Sequence, residues 1–157
     1  MADQTVPPGA PGIPPRWTSS AKSAVGTSAG AESKVWFTIS HGILNEVYMP
    51  RLDTACIRDF GLIVTAPDYF SEEKREADHT VEPVEDGVPA FRLINTSRDG
   101  RYRITKSILS DPEREVVLQE LHFEALVGKL SDYQVHALIS PPWPSMSRAI
   151  PSPAWRR

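Results

Sequence analysis

From residue 33 to residue 140 the apolar positions recur mainly at every second residue, the spacing that puts a row of side chains on one face of a β-strand. In "KVWFTIS", Val35, Phe37 and Ile39 fall on one side and Trp36, Thr38 and Ser40 on the other. "ACIRDFGLIVTA" is apolar and β-branched around Gly61, which predicts a strand with a bulge or bend at the glycine. "VPAFRLINTS", "RDG" and "RYRITKSIL" predict two strands joined by a short Asp-Gly turn. In "EVVLQELHFEAL" Val117, Gln119, Leu121 and Phe123 share a strand face, whereas a helix would gather Val117, Leu118, Leu121 and Ala125 on one stripe. The strand is preferred because "DYQVHALIS", alternating Tyr133, Val135, Ala137 and Ile139, follows a Gly-containing connection and completes an antiparallel ribbon.

About seven short strands, frequent turn signals and no long helical stripe predict an all-β fold, an antiparallel β-sandwich. Its inward positions are predicted to be Val35, Phe37, Ile39, Leu93, Ile104, Leu121, Phe123 and Val135. Two stretches break the alternation. "SEEKREADH" reads as a loop or a helical turn, with a solvated connection preferred, and "SHGILNEVYMP", residues 40–50, as a strand-to-strand connection opened by a glycine and closed by a proline.

The 157 residues suit one domain, and 40% hydrophobic with 24% charged residues is an ordinary globular balance. The 15 prolines concentrate at the ends. Pro7, Pro8, Pro11, Pro14 and Pro15 predict an extended leader over residues 1–16, and Pro141, Pro142, Pro144, Pro151 and Pro153 set off a tail, residues 142–157, expected to be disordered. A net charge of -3 without a basic block argues against nucleic acid as a partner, and no apolar run approaches the ~20 residues of a membrane span. The start has no basic region followed by an apolar one, so a cytoplasmic location is expected. Cys56, the single cysteine, is expected to be a buried thiol.

The chain carries no H-E-x-x-H, G-x-S-x-G, P-loop or G-x-G-x-x-G motif, so no catalytic residue is assigned. His41, His79, His122 and His136 are scattered singly, without a second ligand at zinc-binding spacing; no metal and no cofactor is expected. Asp53 and Asp59 flank Cys56 and Arg58, and Arg58 with Asp59 is expected to form a structural ion pair. Trp17 and Trp36 present aromatic faces that could stack on a sugar ring or fill the core.

The segments "PGIPPRWTSSAKSAVGTS", "KVWFTISHGILNEVYMPRLDTACIRDFGLIVT", "FSEEKREADH", "GVPAFRLINTSRDGRYRITKSILSDPEREVVLQELHF" and "DYQVHALISP" resemble, in order, the amino-terminal domain of prokaryotic glucoamylases and glucodextranases. The resemblance implies part of a large β-sandwich over residues 17–141, preceding an (α/α)6 barrel that hydrolyses α-glucosidic bonds with inversion. The two glutamates of that chemistry belong to the barrel, so Glu46 is not made a catalytic residue. What the resemblance implies for residues 40–50 is an interface. Trp36, His41, Asn45, Glu46, Tyr48 and Arg58 become candidates for contact with a barrel or with an α-glucan, the two partners expected. After Pro141 the resemblance stops at "PWPSMSRAIPSPAWRR", which predicts a truncated or frame-shifted product without catalytic apparatus. Two alternatives stand beside it: a stand-alone α-glucan-binding module, with Trp17, Trp36 or Tyr48 as the stacking platform, and a protein-interaction β-sandwich.

Overall fold

The computed structural model describes residues 18–141, so Trp17, the proline-rich leader and the tail from 142 lie outside the described residues. Eleven strands form two antiparallel sheets. The first contains β1 (Ala24–Thr27), β2 (Trp36–Ser40), β3 (Ile43–Tyr48), β4 (Ala55–Ile57), β5 (Asp59–Ala66), β6 (Tyr69–Glu72) and β11 (Gln134–Ser140). Its main path runs β1-β2-β3-β5-β11, with β4 beside β3 and β6 beside β5. The second is a meander of β7 (Ala77–Pro83), β8 (Phe91–Ser97), β9 (Tyr102–Ser110) and β10 (Val117–Ala125). The sheets stack face to face as the expected sandwich, with more and shorter strands than alternation alone resolves.

The core follows the period of two. Val35, Phe37 and Ile39 meet Leu44, Val47, Leu93 and Ile108 in one cluster, while Leu62 and Val64 meet Tyr102 and Ile104 in a second. Of the predicted inward set, Val35, Phe37, Ile39, Leu93 and Ile104 are buried and Phe123 is half-buried against Tyr102. Leu121 and Val135 depart from expectation, at 39% and 38% exposed. Val135 stands opposite Val64 in register and so belongs to the inward row, yet it stays partly exposed. The sandwich is open on the side of β10 and β11.

Residues 40–50 are mostly strand, which corrects the expected connection. The turn shrinks to His41 and Gly42, whose φ values of 51° and 69° meet the demand of a two-residue hairpin for two left-handed positions. The bend placed at Gly61 lies instead at Arg58, between β4 and β5. There the Arg58 amide donates to the Ser140 carbonyl. Gly61 sits inside β5, where a Cβ would come within 3.3 Å of Ile43.

"SEEKREADH" is not a solvated connection either. Glu73 opens a short helix, α1 (Glu73–Glu76), and is 1% exposed. Its carboxylate accepts from Lys106 Nζ at 2.6 Å, Asn95 Nδ2 at 2.5 Å and the Leu62 amide at 3.1 Å. Asn95 also donates to the Gly42 carbonyl at 2.8 Å, so one buried polar node ties the β2–β3 turn, β5, α1, β8 and β9. A buried carboxylate is tolerated because it is paired and hydrogen-bonded on both oxygens. Burial pushes the Lys106 ammonium below the usual lysine range, and the Glu73 charge opposes that shift. Cys56, expected buried, is half-buried, with Sγ 3.4 Å from the Met49 carbonyl.

Candidate functional site

Five of the six candidate residues gather on or beside the outer face of the first sheet, and a bulge accounts for the grouping. Thr38 pairs with Glu46 and Ile39 with Leu44, which leaves Asn45 as an extra residue on β3. An inserted residue breaks the alternation locally, so Asn45 and Glu46 both serve the polar side while Leu44 and Val47 both serve the core. Trp36 lies opposite Tyr48 at the other end of this face, each half-buried.

Glu46 is the hub. Its carboxylate receives Lys22 Nζ at 2.7 Å, Thr38 Oγ1 at 3.2 Å and the Thr18 hydroxyl. Burial pushes this carboxyl up, but the hydrogen bonds from Lys22 and Thr18 and the Lys22 charge outweigh it and hold Glu46 below the usual range. Burial and the neighbouring Glu46 charge push the Tyr48 phenol up. A carboxylate held ionised by three donors is a poor proton donor, and the geometry makes Glu46 an organiser of the surface.

Asn45 is fully buried, linked to Lys22 and donating to Asp59 Oδ1 at 2.7 Å and the Arg58 carbonyl at 3.3 Å. Lys74 closes the network on Asp59 at 2.9 Å, so the ion pair expected between Asp59 and Arg58 is made with Lys74. Asp53 is turned to Arg51 at 3.0 Å, and the two aspartates flanking Cys56 serve separate cations. His41 stands apart at the hairpin tip, its ring 6.3 Å from that of His79 on β7. Among the described residues no three His, Cys, Asp or Glu gather in a metal-binding arrangement.

Lys22, Thr18, Thr38 and Lys74 escaped the sequence reading. A signal for the bulge was present: Leu44 and Val47, apolar residues three apart within one strand, require an extra residue between them if both face inward.

A second feature lies on the open side. Val35, Val47, Ile57 and Phe60 from the first sheet and Val117 and Gln119 from β10 line an apolar groove of about 320 Å³. Leu121 on β10 and Val135 and Ile139 on β11 are also exposed, Ile139 at 50%.

The profile of glucodextranase domain N matches residues 7–146, nearly the whole chain. The chain belongs to this family. A glucoamylase of Clostridium sp. (strain G0005) is 39% identical over 132 residues, which is 83% of this chain and 19% of that protein. The crystal structure of a bacterial glucoamylase complexed with acarbose aligns with a TM-score of 0.77 at 39% identity, across 80% of this chain and 19% of that one. This domain N chain therefore spans about a fifth of the length of the glucoamylases it matches. Its two antiparallel sheets are the fold of their amino-terminal domain, and its relatives carry that domain within larger proteins.

Proposed function

We propose that the chain is a non-catalytic portion of a glucoamylase- or glucodextranase-type α-glucan hydrolase and that its open side seats the remainder of such a protein, ending in contact with a catalytic barrel. The observation that carries this is the groove between β4–β5 and β10, with Val135 and Ile139 inward by register and uncovered. Contiguous apolar surface of this kind marks an interface. On this reading residues 1–16 are a leader, residues 17–141 the sandwich and residues 142–157 a tail.

The test mixes the chain with the Clostridium glucoamylase polypeptide from which the matching segment has been deleted. Co-elution is expected, together with glucose release from soluble starch that the chain alone does not give. Glu46, Asp59 and Glu73 are each tied to a lysine, which makes them poor candidates for the acid and base that inverting hydrolysis sets ~6.5–9.5 Å apart. Failure to co-elute, with both components folded, defeats the proposal.

The aromatic pair Trp36 and Tyr48 supports a second reading, a direct α-glucan contact on the outer face of the first sheet. Trp36→Ala would then abolish quenching of tryptophan fluorescence by maltooligosaccharides. An unquenched wild-type signal removes that reading and leaves the first intact.

A further inference from the structure

The chain holds two Asp-Gly pairs, Asp86-Gly87 in the β7–β8 connection and Asp99-Gly100 in the β8–β9 turn. An aspartyl carboxyl can be attacked by the backbone nitrogen of the residue that follows it, and glycine, lacking a Cβ, obstructs that approach least. Both pairs are exposed, and the two glycines have similar positive φ values, 79° and 73°. Solvent access and backbone region therefore do not tell them apart. Hydrogen bonding does.

In the β8–β9 turn both reacting groups are engaged. The Gly100 amide donates to the Ser97 carbonyl at 2.8 Å. Asp99 Oδ1 accepts from the Arg101 amide and from the Tyr69 hydroxyl, each at 3.3 Å, and Oδ2 faces Arg101 Nε at 3.4 Å. Burial pushes the Asp99 carboxyl up, but the hydrogen bonds from Ser97, the Arg101 amide and Tyr69 and the Arg101 charge outweigh it and hold Asp99 below the usual range. A carboxylate kept ionised is a poor electrophile. The β7–β8 connection is different. Its closing bonds run from the Val84 amide to the Ala90 carbonyl at 2.9 Å and from the Val88 amide to the Glu85 carbonyl at 3.2 Å, which leaves Asp86 and Gly87 at the tip. Among the described residues no acceptor takes the Gly87 amide proton and no donor holds the Asp86 carboxyl, and an added Cβ on Gly87 would meet nothing within 4 Å.

We propose that Asp86 is a self-modification site, converted to isoaspartate through a cyclic imide while Asp99 is protected. The Gly87 nitrogen bonds to Asp86 Cγ, and the amide proton leaves with the carboxyl hydroxyl as water. Water then adds to one of the two imide carbonyls. Opening at Cγ restores aspartate; opening at the main-chain carbonyl routes the chain through Cβ and Cγ and frees the α-carboxyl as a side group. Composition is unchanged and only water is exchanged. The product lengthens the main chain by one carbon at an exposed loop tip, where no strand register has to shift. The site is separate from the open side of the sandwich and from whatever occupies it.

The full chain is aged in warm neutral buffer made with heavy-oxygen water, cut with an Asp-directed protease that does not cleave at isoaspartate, and read by mass spectrometry. Residue 86 should lose cleavage and gain heavy oxygen at least about tenfold faster than residue 99, the rate ratio that roughly one net hydrogen bond supplies. In urea the two sites should react at similar rates, since the fold and not the local sequence separates them. Asp86→Glu, which would have to close a larger ring, should remove the product at residue 86 and leave residue 99 unchanged. Tyr69→Phe combined with Arg101→Gln should release the Asp99 carboxyl and narrow the gap. Equal rates in buffer, faster reaction at residue 99, or a gap that persists in urea would each overturn the proposal.

Discussion

At the scale of single residues, two carboxylates do opposite work. Glu73 is locked inside, and Lys106→Met would leave it buried without its cation, a change that costs about 3 to 5 kcal/mol. Glu73→Leu combined with Lys106→Met should be much less damaging than the sum of the single changes; urea unfolding of the four proteins measures the coupling. Glu46 sits at the surface of the same sheet, and its folded-state pKa lies below the ordinary value of 4.5. A depressed carboxylate stabilises the fold above the unfolded pKa and loses that contribution as pH falls through the folded one. Wild type should therefore exceed Glu46→Gln in urea midpoint near pH 7, and the gap should narrow below about pH 4. A gap independent of pH would mean that Glu46 acts through shape alone. Lys106 was legible in principle, because the alternation Tyr102, Ile104, Lys106, Ile108 places it in the inward row of β9. Its partner was not, since Glu73 lies in a run whose charge density reads as solvated and no local pattern shows that one member turns inward.

At the scale of elements, turns and bulges decide where side chains go. Gly42 has φ of +69° and an added Cβ would meet Asn95 Oδ1 at 2.3 Å and His79 Cβ at 2.8 Å, whereas Gly100, with φ of +73°, has nothing within 4 Å. Gly42→Ala should thus cost more than Gly100→Ala, which carries only the backbone strain of about 1 kcal/mol. Thermal melts of the two variants compare them directly, and equal losses would show that the buried node tolerates displacement. The β8–β9 ribbon was readable because its Asp-Gly signal and its alternation agree. The β2–β3 hairpin was hidden because its turn is made by His and Gly rather than by a familiar turn pair, and because the Asn45 bulge shifts the apolar phase midway along β3.

For the whole molecule, alternation reveals which side chains point inward but not whether a second layer exists to cover them. Leu121 and Val135 were assigned the correct kind of strand, yet their exposure depends on what lies across the gap. This openness predicts a gradient in hydrogen exchange, with amides of β8 and β9 slowest and those of β10 and β11 at least about tenfold faster. Uniform protection would contradict an open side.

The pairing of β5 with β11, from Thr65↔Gln134 to Asp59↔Ser140, spans the entire second sheet in sequence. A ribosome therefore releases β5 long before the strand it needs. The meander β7–β10 joins only neighbours and can form while its chain is still emerging, since closing short loops is entropically cheap and fast. Until residue 134 has cleared the exit tunnel, β5 has β6 and β3 on one side and an open edge on the other. Any nascent chain that stalls in that interval exposes β5 to the cell's proteases and chaperones, so the order of synthesis, and not only final stability, governs how much of this sandwich survives.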